Sequence, residues 1–274
     1  MTAFLIAYAA PIKLAVAALL LASLAGLQWA APTRGDASLS RWRVNLGVIA
    51  IATLVTRLLL PVSAIAAAIW AQTRGLGLFN QVEVPFAWAF VLSLVTLDFA
   101  IYWQHRAFHA FALLWRIHRV HHADTGFDAS LGLRFHPFEI LLSALFKLGV
   151  VVGLGIAPVA VAAYELVLLS MSLFTHADVA LPRRLDAVLR WLIVTPDWHR
   201  IHHSIHRAET DSNYGNWLSV WDRLFGTYIP QPRDGHFDMR IGLPALREPQ
   251  QQTLLAALVL PLLDEPVALE NHDA

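Results

Sequence analysis

The 274-residue chain is 57% hydrophobic and 15% charged, against roughly 45–50% and about 25% in soluble domains. It therefore reads as a membrane protein and not as a soluble domain, a coiled coil or a disordered segment. A formal net charge of zero gives no electrostatic footprint for nucleic acid. The absence of cysteine excludes thiolate zinc sites, iron–sulfur clusters, redox disulfides and cysteine nucleophiles, whereas thirteen histidines leave imidazole and oxygen as the metal donors.

The first apolar stretch, near Pro11 to Ala31, carries Lys13 at its start and suffices for one tilted crossing of about 20 residues; it is too long for a cleaved signal. A second runs from Val44 to Ala71 and is interrupted by Arg57 and Pro61. A third runs from Phe86 to Trp103. Phe138 to Phe174 is too long for one crossing, and Gly153, Gly155 and Pro158 divide it into a helical hairpin. The fold class expected is an all-α, polytopic membrane bundle of four to five spans, with a cytoplasmic-side helical cap carrying a histidine-rich di-metal site. The late run Thr253 to Leu263 contains Pro261 and is too short to span, so it is expected to pack or to lie at the interface.

Two polar segments, Gln104 to Pro137 and His176 to Arg247, hold nearly all the histidines. The hairpin returns the chain to the side it left, so both segments face one compartment. Arg106, Arg116, Arg119, Arg134, Arg183, Arg184, Arg190, Arg200 and Arg207 make that side cytoplasmic by the positive-inside rule. The organisation expected is transmembrane helices over 1–97, a histidine-bearing region over 98–247 that includes the hairpin at 138–175, and a tail over 248–274 with a short apolar helix. The membrane expected is the bacterial inner membrane, or the endoplasmic reticulum in a eukaryote.

The polar segments read His105-x-x-x-His109, His118-x-x-His121-His122 and His199-x-x-His202-His203. Spacings of three and four residues place imidazoles on one helical face. Eight imidazoles exceed the ligand number of one ion and point to two. His176, emerging at the end of the fifth span, is a further candidate ligand, and so is His136 beside Pro137. Asp98, seven residues before His105 on the same helical face, is an acid within an apolar span and is expected to support the site from behind the ligands. Asp197 reads as a helix cap, His206 as a residue close to the site, and His236 and His272 as solvated. Trp103, Phe108, Trp115, Trp191, Trp198, Trp217 and Trp221 fit an aromatic belt at the headgroups.

The region from Asp98 to Tyr228 resembles the fatty acid hydroxylase superfamily, also called the sterol desaturase family. The resemblance rests on Asp98-x-x-x-Tyr102-Trp103-x-His105-Arg106-x-x-x-His109, Trp115-Arg116-x-His118-x-x-His121-His122, Arg134-Phe135-His136-Pro137-x-Glu139 and His199-Arg200-x-His202-His203. It continues through Glu209-Thr210-Asp211-x-Asn213-Tyr214-Gly215 and Trp221-Asp222-Arg223-Leu224-Phe225-Gly226-Thr227-Tyr228. It implies two iron ions, for which zinc can substitute, ligated by His105, His109, His118, His121, His122, His199, His202 and His203, with His176 matching the isolated histidine before the last cluster. Position 172 is serine where some relatives carry another histidine, which makes His136 or water the candidate to complete the second ion. The activity implied is O2-dependent hydroxylation or desaturation of a lipid C–H bond. Without cysteines or a glycine-rich nucleotide fingerprint, the electrons are expected from a separate ferredoxin or cytochrome with its reductase, docking near Arg183, Arg184, Arg190 and Arg200. The competing readings are a zinc-dependent membrane hydrolase, for which no Glu lies inside a cluster, and a histidine-relay metal or proton transporter, which needs histidines near mid-membrane.

Overall fold

The computed structural model describes residues 2–264; His272 and the tail beyond 264 lie outside the described residues. The helices that shape the molecule are α1 (Ala9–Ala30), α2 (Leu39–Leu59), α3 (Ala64–Thr73), α4 (Phe86–Ala110), α5 (Ala112–His122), α6 (Pro137–Leu154), α7 (Pro158–Thr175), α8 (Arg183–Leu189), α9 (Pro196–His202) and α10 (Leu254–Val259). Among the described residues there is no β-strand, only the isolated bridges Ile193–Leu218 and Ser204–Ile241. Five helical segments are long and apolar enough to cross a membrane: α1, the pair α2 and α3 taken together, α4, α6 and α7.

Local chemistry sets the breaks. The α2–α3 segment parts at Leu60-Pro61, with Arg57 in the last turn of α2 and the Ser63 hydroxyl accepting from the Ala66 N–H at 3.1 Å to start α3. In the hairpin, Pro137 opens α6 and Gly155 closes it at φ +68°, a left-handed conformation that glycine adopts without a Cβ penalty. Pro158 then opens α7. The apolar centre of the bundle is built from Ala64 and Ala68 of α3, Leu97 of α4, Val151 of α6, and Ala160, Val161 and Tyr164 of α7.

One charged cluster lies among the spans. Glu165 of α7 accepts from Lys13 of α1 at 2.9 Å and from Lys147 of α6 at 2.5 Å, which ties three helices together at about the middle of the hairpin. Other polar side chains collect at one end. Gln28 near the end of α1 accepts from the N–H groups of Ala129 and Asp178, both at 2.8 Å. At the start of α2, Arg41 pairs with Asp124 and Asp128, each at 2.6 Å, and Asn45 donates to Asp124 and Ser130. Arg134 bonds Asn45 and the Val120 carbonyl. This network fixes the chain between α5 and α6 against the ends of α1 and α2. The apolar run after Thr253 packs as α10, with Ala257 and Leu260 buried against Val48 and Val120.

With 25 residues, α4 is about 37 Å long, some 7 Å more than a hydrocarbon core of about 30 Å. Its last turns, with His105 and His109 bonded to Tyr214 and Asp211, stand at the polar end of the bundle.

Candidate metal centre

The single residue Phe111 separates α4 from α5, so the chain folds back and sets His105 and His109 beside His118, His121 and His122 in the last turns of α5. His176 follows directly on α7. On α9, opened by Pro196, His199 and His202 are followed by His203 at the helix end. These nine residues sort into two groups in which one potential ligand atom per residue lies within 4.8 Å of the others: His105, His109, His118, His122 and His202, and His121, His176, His199 and His203. All are buried except His105, which is partly so.

The hydrogen bonds decide which nitrogen faces inward. Nδ1 of His105 bonds the Tyr214 carbonyl, that of His202 the Ser212 carbonyl and that of His176 the Ser172 carbonyl, each at 2.7 Å. Nδ1 of His118 bonds Glu139 at 2.7 Å and that of His109 bonds Asp211 at 3.1 Å. A ring that donates through Nδ1 keeps a bare lone pair on Nε2. In the second group, Nε2 of His176 has the Nε2 atoms of His121, His199 and His203 at 3.1, 3.1 and 3.2 Å. A single lone pair cannot accept from three neighbours at once, whereas one cation satisfies all four. Two nitrogens each about 2.1 Å from one ion lie about 3.0–3.4 Å apart at angles of about 90–110°, which matches. In the first group, Nε2 of His105 and His118 stand 3.1 Å apart, and Nε2 of His109, His122 and His202 are buried without a hydrogen-bond partner. The donor sets thus fit metal ions.

The supporting loop is itself clamped. Asn213, between Ser212 and Tyr214, whose carbonyls accept from the histidines, has φ +49°; its amide donates to the Trp198 and Ile229 carbonyls and accepts from the Ile229 N–H. Asp222 accepts from the N–H groups of Tyr214 and Gly215, both at 2.8 Å, and from Thr227 at 2.7 Å. Asp98 accepts from Trp221 Nε1 at 2.8 Å, Leu218 N–H at 3.1 Å and Tyr164 at 3.3 Å. It thereby ties α4 to the segment after the loop, and among the described residues its hydrogen bonds go to none of the nine histidines. Gly132 lets the Ser172 backbone and the His176 ring approach: a Cβ there would overlap the Ser172 carbonyl.

Burial, reinforced by neighbouring imidazoles, holds His121, His122, His199, His202 and His203 well below the usual histidine range, and burial brings His176 to about 4. All six are neutral at pH 7, the state a metal requires. Burial lifts Asp222 to about 6. Burial would also lift Asp124, but Arg41 and Arg134 hold it at about 2.

His136 stands outside both groups: Nδ1 accepts from the Phe138 N–H at 3.2 Å and Nε2 bonds the Leu258 carbonyl at 3.1 Å. Asp197 lies inside α9 and pairs with Arg200 at 2.6 Å; the cap position is Thr195. His206 pairs with Asp234 at the surface. His236 is not solvated, since both ring nitrogens are buried. Of the expected aromatic belt, Trp103 and Trp191 are exposed, whereas Phe108, Trp115 and Trp198 are buried. Phe108 and Trp115 pack against rings of the first histidine group and Trp198 stacks on Tyr228. Arg190 and Arg200 are buried in ion pairs and cannot present charge to a partner. Glu139 and Asp211 hold histidines although little in their sequence context marked them.

A multi-span helical membrane protein with two buried polyhistidine groups at one end of its bundle is the class that fold and site define. The family model for fatty acid hydroxylase matches residues 90–227, half of the chain, and the chain belongs to that family. It is 30% identical to alkylglycerol monooxygenase of Xenopus tropicalis over 155 residues, covering 56% of this chain and 34% of the relative. It is 33% identical to ornithine lipid hydroxylase of Rhizobium tropici over 163 residues, covering 57% and 46%. It is 32% identical to a very-long-chain aldehyde decarbonylase of Oryza sativa subsp. japonica over 146 residues, covering 50% and 22%. The chain thus spans less than half the length of these relatives. No solved structure matches it.

Proposed function

We propose that the nine histidines hold two iron ions and that the protein is a membrane-bound oxygenase that hydroxylates or desaturates a C–H bond of a lipid. The observation that carries this reading is the pair of convergent nitrogen clusters, four and five imidazoles, at the polar end of an apolar bundle. Iron held there supplies O2 activation. The protein contributes buried imidazoles, five of them fixed through Nδ1 and three of those by main-chain carbonyls, and a surround from which Phe108, Trp115, Phe127 and Trp198 exclude water. Hydroxylation consumes O2, two electrons and two protons and releases water, so a reductant is needed; a separate ferredoxin or cytochrome with its reductase fits a chain without cysteines. The names of the relatives specify an alkylglycerol, an ornithine lipid and a long-chain aldehyde, which supports a lipid substrate. The arginine-bearing loops support a cytoplasmic face for the site, by the positive-inside rule. His136, with both nitrogens engaged by backbone, is left out of the ligand set, and Asp98 is a positioning residue.

The test is substitution with metal analysis. His118→Ala, His122→Ala, His199→Ala and His203→Ala should each abolish turnover and lower bound iron from a wild-type value near two per chain, while His136→Ala keeps the metal. A fully active wild type holding one iron, or a His118→Ala variant with full activity, overturns the reading.

A further inference from the structure

A cavity of about 690 Å³ opens between α8 and the segment that follows Val220; Asp197 of α9 lines it and none of the nine grouped histidines does. Its height in the bilayer is set by chain connectivity: Thr33, three residues beyond α1, and Ala180 and Leu181, just beyond α7, line it. It therefore lies where headgroups lie. Next to it, Leu185, Val188, Trp191 and Leu192 are 46–70% exposed, a stripe along α8 and the turn after it that suits immersion in the membrane surface.

The charge inside is not balanced. Arg183, Arg190, Arg223, Asp186 and Asp197 all line the cavity, but Asp186 is spent on Arg190 and Asp197 on Arg200, each pair at 2.6 Å. That leaves two guanidinium groups. Arg183 has no hydrogen-bond or ion-pair partner among the described residues. Arg223 lies 4.7–4.8 Å from the ring centroids of Trp191, Trp198 and Tyr228, and among the described residues its hydrogen bonds go only through Nη1 to Ser219. His236 adds two buried ring nitrogens without a partner. Guanidinium groups with free donors, one of them held against aromatic rings, suit the oxygens of a phosphate.

We propose that this cavity binds the phosphate of an anionic phospholipid, with Arg183 and Arg223 on its oxygens and the acyl chains lying along the exposed stripe of α8. This site is separate from the histidine centre, and its occupancy is read without turnover. The full chain, purified in an uncharged detergent, is incubated with phosphatidylglycerol or phosphatidylcholine and retention is measured by native mass spectrometry. Quenching of tryptophan fluorescence by brominated phosphatidylglycerol reports approach to Trp191. Phosphatidylglycerol should bind in preference to phosphatidylcholine, and R183Q/R223Q should weaken its retention by about tenfold. Equal retention of both lipids, or by wild type and variant, overturns the proposal. Displacement of phosphatidylglycerol by millimolar inorganic phosphate would identify a free-phosphate site and overturn the lipid assignment. If melting shows that R223Q is unfolded, R183Q, with its exposed and unpartnered side chain, carries the test alone with a loss of about threefold or more.

Discussion

Asn213 shows how one side chain positions the partners of two candidate ligands. It adopts the left-handed conformation at φ +49° and spends its amide on three backbone groups, so that the carbonyls on either side of it point at His202 and His105. Asn213→Ala removes those bonds and leaves a Cβ residue in strained backbone, a loss of about 2–4 kcal/mol; Asn213→Gly, which tolerates the conformation, should lose less. Thermal denaturation with metal analysis on both variants checks this, and the metal content should follow the same order. The histidines themselves were legible in the sequence, because imidazole identity and helical spacing carry the signal. Their main-chain partners were not, since every residue has a carbonyl and only the folded loop shows which ones are used. His136 illustrates the limit from the other direction: its motif resembles that of a ligand, but the residue caps α6 and bonds Leu258.

At the scale of helices, span lengths, the Pro61 break and the hairpin at Gly155 were readable from hydropathy and from glycine and proline placement. The Lys13–Glu165–Lys147 cluster was not, because its members come from three helices and Lys13 is 152 residues from Glu165. Glu165→Gln leaves two ammonium groups without their counter-ion inside an apolar bundle and should destabilise by about 3 kcal/mol. Replacing all three side chains with apolar residues of similar volume should restore most of it. Melting of the detergent-solubilised protein distinguishes the two variants. The Glu165→Gln loss should change little with salt, since partly buried pairs are weakly screened.

For the whole molecule, metal and fold are linked. Removal of metal by a chelator should lower the melting temperature, because the convergent nitrogens lose the cation that satisfies them. The metal-free protein should also be acid-sensitive in a defined window. Imidazoles held below the usual value of about 6.5 bind protons more readily in the unfolded chain. Stability is therefore complete above about pH 6.5 and falls as pH drops toward 4, the value for His176, by roughly 1.4 kcal/mol per pH unit for each such imidazole. Melting curves of chelated protein at pH 7.5 and 5 read this directly, and iron-loaded protein should be less affected over the same range. Purified enzyme given O2 and lipid with NAD(P)H alone should be inactive, and a reductase with its carrier should restore turnover; sustained turnover without them would contradict an external electron source.

On the proposed function, the overhang of α4 bears on regiochemistry. Measured from Phe86, His105 lies about 28 Å and His109 about 34 Å along α4, so against a hydrocarbon core of about 30 Å their imidazoles belong near the lipid–water boundary and not at the bilayer centre. A carbon near the glycerol or polar end of a substrate reaches that level without leaving its leaflet, whereas one deep in an acyl chain must be drawn upward. The host membrane then acts as a ruler: lengthening its acyl chains alters how far the overhang clears the hydrocarbon, and with it which carbon stands level with the metal centre.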